Sequence, residues 1–447
     1  MTELLPANRP VRQPPSATPP EAKGNPVRLV LLASLLLLAG VRGGWSLLVM
    51  IGSLVVMIFL HELGHYLTAK AAGMKVTEFF IGFGPKIWSF QRGETEYGLK
   101  VLPAGAYVKI IGMHNLDEFD EADAGRTYMS KPFWRRLSVA VAGSTMHFLL
   151  ALVCFFVAFA AVGLPGGAWP TTEAELDRID DSAPWAVAVV SDDSGAEAAG
   201  IQQGDEIVSI DGQPIGGFAD FRQVVSDRPG ADVEVVVRRD GVEQELDVAI
   251  GSREGPGGEP EGFFGVGAQL VDSTVGPGQA VSDTLDAFEG SVRQSVTGLA
   301  HILSPSGLAE LGRAAFTPSD DATVEGGGGG GRPPSDDEGN EPQAAGIVRI
   351  SSIGAGLIGD GEFGYFLAIF ATINIFIGIF NLVPLLPLDG GHVAIACYEK
   401  VRSTLQGGRP YHVDVVKLLP VTYAAVLVLA FLGVSTLVLD TRSLVGG

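Results

Sequence analysis

Four stretches of this 447-residue chain contain no Asp, Glu, Lys or Arg: Gly43–Leu60, Leu137–Leu164, Tyr365–Leu388 and Leu418–Leu439. About 20 such residues in a helix cross a hydrocarbon core of roughly 30 Å. A chain built this way is an α-helical polytopic membrane protein with four core spans. Composition agrees, with 47% hydrophobic and only 18% charged residues and a mean hydropathy of +0.30. A purely cytosolic enzyme is excluded. The two cysteines, Cys154 and Cys397, lie in or beside apolar runs, which leaves no disulfide framework and no cysteine-rich zinc ribbon.

The net charge of -21 is unevenly placed. Residues 165–364 carry 36 Asp and Glu against 10 Arg and no Lys. The loop 66–136 instead holds Lys70, Lys75, Lys86, Lys100, Lys131, Arg135 and Arg136, and the loop 398–417 adds Lys400, Arg402, Arg409 and Lys417. Short loops rich in Lys and Arg stay in the cytoplasm. The expected protein is therefore a multi-pass protein of the cell membrane with 66–136 and 398–417 inside and the acidic 165–364 outside. So acidic a surface is not expected to bind nucleic acid.

Residues 1–26 are Pro-rich and aperiodic, reading as a disordered tail. Segment 27–44 contains the apolar run Leu29–Val41 between Arg28 and Arg42. It reaches only about 20 Å as a helix, so it is either a short fifth span or an interfacial helix leading into the next one.

The first core span closes with His61-Glu62-Leu63-Gly64-His65. Residues four apart share a helix face, the spacing two imidazoles need to grip one Zn²⁺, while Glu62 sits beside the ion as a general base. A catalytic zinc takes a third protein ligand and leaves its fourth position to water. Asp389, in Asn381-Leu382-Val383-Pro384-Leu385-Leu386-Pro387-Leu388-Asp389-Gly390, is the candidate. His61 lies about 13 Å along a helix from Lys70, and Asp389 about 16 Å from Lys400. Both then reach a similar depth near the cytoplasmic edge. The prolines and paired glycines break the helix there, which is tolerated at membrane depth only where backbone is buried or lines a wet cavity. A helix-capping role is the bland alternative for Asp389.

His61-Glu62-Leu63-Gly64-His65 together with Asn381-x-x-Pro-x-x-Pro-Leu-Asp389-Gly resembles the site-2 protease family of intramembrane zinc metalloproteases, and most closely bacterial regulators of sigma-factor release with a single PDZ domain. The likeness spans roughly 45–440, including Gly82-Phe83-Gly84-Pro85 and Glu94–Lys109. It implies one zinc held by His61, His65 and Asp389, Glu62 as general base, and Asn381 contacting substrate backbone. It also implies membrane-anchored protein substrates, of the anti-sigma-factor or remnant signal-peptide kind. One departure is Ala142-Gly143-Ser144-Thr145-Met146-His147-Phe148, where the family usually has Ala-Gly-Pro and then Asn-Phe. His147 is a further imidazole inside a span, more simply read as a packing or hydrogen-bonding residue.

Within loop 94–111, Tyr97, Leu99 and Val101 alternate with Gly98 and Lys100, and Tyr107–Ile111 repeats the β-rich composition after Pro103-Ala104-Gly105. That predicts a hairpin. A free strand edge at Tyr97, Leu99 and Val101 could hold an unwound substrate by main-chain bonds. The family places such a hairpin beside the zinc; the alternative is an ordinary cytoplasmic hairpin.

Residues 185–250 predict a compact α+β module whose Gly200-Ile201-Gln202-Gln203-Gly204-Asp205-Glu206-Ile207 run resembles PDZ domains of bacterial proteases. It is read as a gate on substrate, acting either as a size filter or by capturing a peptide terminus. Residues 251–363 read as a linker, with Asp283–Leu311 helical, broken near Pro305 and lying on the membrane surface. Its stretch 318–343 is low-complexity and expected to be disordered. The halves 45–164 and 364–447 then carry the two parts of the metal site. The expected function is proteolysis within a membrane span; the competing class is a catalytically silent zinc-binding PDZ scaffold or transporter.

Overall fold

A computed structural model describes residues 26–113, 119–165, 167–170, 185–192, 194–254, 260–316, 354–359, 361–409 and 411–445. The expectations for 318–343, and for the tail up to residue 25, lie outside them. Among the described residues, four helical segments are long and apolar enough to cross a membrane: Gly44–Ala71, Phe133–Val162, Phe363–Asn381 and Leu419–Val438.

Helix α1 (Pro26–Ala71) is interrupted at Gly44, whose φ of 67° belongs to the left-handed region that favours glycine. The bend is sharp. A Cβ on Gly40 would stand 3.0 Å from Leu48 Cδ1, whereas eight residues of straight helix span about 12 Å. At the start of this first arm, the Arg28 guanidinium donates to the Lys86 carbonyl at 2.7 Å. Segment 27–44 therefore bends away from the span's axis instead of leading straight into it.

Strands β1 (Val76–Arg92) and β2 (Thr95–Ile110) follow, each folded on itself. Residues 76–81 face 106–110 on one side and 96–99 on the other, while 86–92 face 95–100. The hairpin expected within 94–111 does not form: 96–99 and 106–110 are not partners of each other, because 76–81 lies between them and pairs with both. The composition of 76–92 concealed this, because Gly82, Gly84 and Pro85 interrupt its alternation. Tyr97 and Leu99 pair on both sides, with Phe79 and Phe90 and with Ile81 and Trp88. The free edge predicted there is filled, and the outer strands are 106–110 and 86–92.

Helix α2 (Phe133–Val157) crosses the core and leads into β3 (Leu164–Pro165). The α+β module comprises β4 (Trp185–Val190), α3 (Gly195–Ala198), β5 (Glu206–Ile210), β6 (Gln213–Pro214), α4 (Phe218–Ser226), β7 (Asp232–Arg239), β8 (Val242–Ala249), β9 (Gly251–Glu254), β10 (Pro260–Phe263) and β11 (Val266–Leu270). One sheet runs β6-β5-β7-β8, and β11 pairs antiparallel with β4. Phe264 is 3% exposed in the same core as Trp185, Phe221 and Val235. The module therefore runs on to Leu270, past the predicted boundary at 250. Local alternation could not reveal this, because β11 is recruited by β4, some 80 residues earlier in the chain. A fragment of residues 185–270 should unfold cooperatively, and one of 185–250 should not, since burying a Phe alone stabilises by about 1.5–3 kcal/mol. Thermal melts followed by circular dichroism check this; equal midpoints would exclude β11 from the domain.

Strand β12 (Asp272–Ser273) pairs with β3, returning the chain to the end of α2. Helices α5 (Pro277–Ile302) and α6 (Pro305–Phe316) break at Pro305 as predicted. Instead of lying on a membrane surface, α5 packs into the bundle. Its buried face is Ala280, Thr284, Ala287, Ser291, Ser295 and Leu299, mostly small residues that let helices approach closely. Phe288 meets Phe148 of α2 edge-on, with ring centroids 6.0 Å apart. Helix α7 (Phe363–Asn381) ends before the two prolines, α8 (Asp389–Leu405) restarts at Asp389, and α9 (Leu419–Val445) closes the chain. The membrane core joins α1, α2, α5 and α7 around Met57, Phe155, Phe159, Phe370 and Ile375.

Candidate metal centre

His61 and His65 lie one turn apart on α1, and their Nε2 atoms are 3.2 Å from each other. Asp389 comes from the first turn of α8, more than 300 residues later. Its Oδ2 stands 3.1 Å from His65 Nε2 and 3.4 Å from His61 Nε2. The broken segment before α8 makes this approach possible: a Cβ on Gly390 would strike the carbonyls of Val383 and Leu382 at 2.2 and 2.3 Å. His65 Nδ1 donates to the Val139 carbonyl at 2.8 Å, which leaves Nε2 as the lone-pair nitrogen of the neutral ring. Acceptor atoms of two imidazoles and a carboxylate thus converge on one point, a donor set that a divalent cation satisfies. Ligand bonds of about 2.0–2.1 Å in a tetrahedral site separate the ligands by about 3.3 Å. The residues present fit zinc.

Helix α2 supplies the wall behind the imidazoles. A Cβ on Gly143 would lie 2.3 Å from His61 Cε1 and 2.5 Å from His65 Nε2. One helical turn on, His147 Nδ1 donates to Asn374 Oδ1 at 2.9 Å, and the Asn374 amide donates to the Phe370 carbonyl at 2.7 Å. Because that amide faces a carbonyl, Asn374 can present only its oxygen to His147. The His147 ring stands 5.0 Å from that of His61 and is hydrogen-bonded, as its simpler reading required. Among the described residues, the three-ligand metal group is His61, His65 and Asp389, without His147.

Glu62, beside the ligands on α1, has the Val108 main-chain N–H turned towards its carboxylate. The outer strand 106–110 therefore runs past the proposed base. Tyr97 is within reach of the same end of α1, its hydroxyl 2.6 Å from that of Tyr66. Leu99 is paired inside the sheet, and Val101 lies farther along the same strand. Asn381 is the last residue of α7, half-buried, immediately before the broken segment.

A second polar cluster joins the start of α2 to α8. Arg136 at the start of α2 donates to Glu399 of α8 at 2.6 Å, with side chains 7% and 2% exposed. Burial pushes the Glu399 carboxyl up, but His412, the Val413 N–H and Arg136 outweigh it and hold the group below its ordinary range.

Gly143, Asn374 and the Arg136–Glu399 pair were not read from the sequence. Asn374 did carry a signal. A polar side chain inside a span is functional by default, and screening the apolar runs for charge alone passes over an amide. The pairing of Arg136 with Glu399 had none, since 263 residues separate them.

The model describing peptidase family M50 matches residues 49–318 and 339–426. The chain is similar to the zinc metalloprotease Rip1 of Mycobacterium bovis, with 32% identity over 400 residues covering 85% of this chain and 93% of that relative. The Rip1 of Mycolicibacterium smegmatis is 31% identical over 403 residues, covering 85% and 92%. A putative zinc metalloprotease of Brucella suis is 30% identical over 367 residues, covering 79% and 86%. Among solved structures, a PDZ domain of an SdrC-like protein from Listeria monocytogenes is similar at 22% identity, covering 20% of this chain and 87% of that one with a TM-score of 0.17. With a family match over most of its length and a zinc-ligand geometry built from its first core span and α8, this chain belongs to peptidase family M50, the site-2 proteases, and is an intramembrane zinc metalloprotease.

Proposed function

We propose that the chain hydrolyses a peptide bond within the membrane segment of single-span proteins, with His61, His65 and Asp389 holding zinc and Glu62 as the base. The observation that carries this reading is the convergence of three ligand atoms within 3.4 Å, drawn from the two ends of the chain. Bound zinc supplies Lewis acidity to the scissile carbonyl and acidifies water. Glu62 takes the proton of the attacking water and hands it to the leaving amine. Gly143 keeps the wall behind the imidazoles free of side chains, and Asn381, at the end of α7, is placed to hold substrate backbone.

A helical substrate hides its carbonyls in intrahelical bonds and must unwind before cleavage. The strand that receives it is 106–110, since Tyr97 and Leu99 have both edges filled and Val108 already borders Glu62. Main-chain pairing there needs little sequence specificity. The basic loops 66–136 and 398–417 support a cytoplasmic placement of this sheet and of the metal, and an outer placement of the acidic module. The substrates are of the anti-sigma-factor or remnant signal-peptide type, already trimmed outside.

The outer module then acts as a size filter. Strands β3 and β12, which precede and follow the module in the chain, pair with each other, so removing 185–270 keeps that pairing. The deleted enzyme should cut a trimmed substrate as the parent does, and should also cut one that still carries a folded outer domain, which the parent rejects. Reconstitution in liposomes with both substrates reads this directly. Loss of trimmed-substrate cleavage in a deletion that still binds zinc would instead support terminus capture, for which the groove of about 390 Å³ between α4 and Phe263–Val266 is the place.

A further inference from the structure

Asp389 is the one proposed ligand contributed by the second half of the protein, and the helix that carries it is weakly anchored by apolar contacts. The side chains α8 buries are Ala396 and Glu399; its other buried positions are Gly390 and Gly391. Tyr398, Val401 and Leu405 are all exposed. Glu399 is thus the principal buried side chain of the helix, and its partner is Arg136 at 2.6 Å. Arg136 belongs to α2, the helix whose Gly143 lies against both imidazoles. Each charge has further support. The second Glu399 oxygen accepts the Val413 N–H at 2.8 Å, and His412 Nδ1 stands 3.7 Å away. The Arg136 guanidinium lies 5.9 Å from the Tyr128 ring, whose hydroxyl donates to the Arg136 carbonyl at 3.2 Å. The Tyr128 ring in turn meets His392, three residues after Asp389.

We propose that the buried Arg136–Glu399 pair is a latch that registers α8 on α2 and thereby sets the Asp389 carboxylate against His61 and His65. Ten residues separate Asp389 from Glu399, a lever of about 15 Å along a single helix. A rotation or slide of α8 on α2 is transmitted whole to its first turn. Both residues are positioning residues and touch neither metal nor substrate. A buried ion pair is a poor source of net stability but a strict one of geometry, since a misregistered helix leaves two unpaired charges in the interior.

The test uses the full-length protein in detergent. Zinc affinity is measured by chelator competition, and the Co²⁺-substituted protein by the position and intensity of its d–d bands, which report the ligand geometry. Arg136→Gln and Glu399→Gln should each weaken zinc binding by about 10- to 100-fold, the range of partners that orient ligands without touching the metal, and should shift the cobalt bands. Arg136→Lys, which keeps the charge, should restore both readouts most of the way. The double variant Arg136→Gln/Glu399→Gln leaves no lone buried charge, so it retains the fold where a single variant does not, and it should still show altered cobalt bands. Cobalt bands and zinc affinity equal to the parent's in the double variant overturn the latch, as does a loss that Arg136→Lys fails to restore. The inference rests on the ligand set proposed above, so Asp389→Asn is measured alongside. Weakened zinc in Asp389→Asn with parent-like latch variants overturns the latch alone, whereas parent-like zinc in Asp389→Asn overturns the ligand set and the latch with it.

Discussion

Glu62→Gln should leave zinc bound and lower cleavage about a thousandfold, the scale of a lost general base. The amide keeps the size and polarity of the carboxylate but cannot take the proton of the attacking water. Asp389→Asn should do the reverse in the first step of failure: a neutral amide is a poor zinc ligand, so metal is lost and activity with it. The two variants are told apart by zinc content after gel filtration, measured beside cleavage of a tagged single-span substrate. Zinc lost from Glu62→Gln, with zinc and activity retained in Asp389→Asn, would show that the roles have been assigned the wrong way round.

Gly143→Ala should abolish the metal site with the smallest possible change. Its methyl group would arrive 2.3 Å from His61 Cε1 and 2.5 Å from His65 Nε2, well inside van der Waals contact. Two rings fixed by their helix cannot both step aside, so α1 and α2 must separate or the imidazoles must rotate off the metal. Zinc affinity should fall at least about 100-fold, beyond the cost of losing a supporting partner. Alanine is the better helix former by about 1 kcal/mol, so a weakened helix cannot explain the loss. Ser144→Ala, at the next position, is the control, because the Ser144 hydroxyl is buried without a hydrogen-bond partner. Parent-like zinc affinity in Gly143→Ala would mean that α2 does not abut the imidazoles as described.

What is legible in the sequence alone rests on short-range physics. Four runs free of charge specify spans because lipid penalises charge residue by residue. The pair His61 and His65 needs only the pitch of a helix to share a face. Asp389 was found by chemistry and depth, as a lone carboxylate after an apolar run. In the α+β module, turn residues such as Asp211-Gly212 and Asp240-Gly241 mark the strands they separate, and Asp211 and Asp240 do adopt positive φ.

Tertiary structure decided everything that depends on a partner distant in the chain. Strand 95–100 looks like an edge by composition and becomes interior because 76–81 and 86–92 flank it, leaving 106–110 and 86–92 as the outer strands. Strand β11 belongs to the α+β module only because β4 pairs with it. Helix α5 has the composition of a surface helix, yet its small-residue face packs on α2 and α7. The metal site follows the same division. Its ligand types and the spacing of the two histidines are properties of local sequence, whereas the fit of α2 against them depends on Gly143, and the approach of Asp389 on Gly390 and the Arg136–Glu399 contact. Those are distances between elements, which no periodicity records, because a residue's pattern encodes its own conformation and leaves its neighbours in space to the packing of the whole.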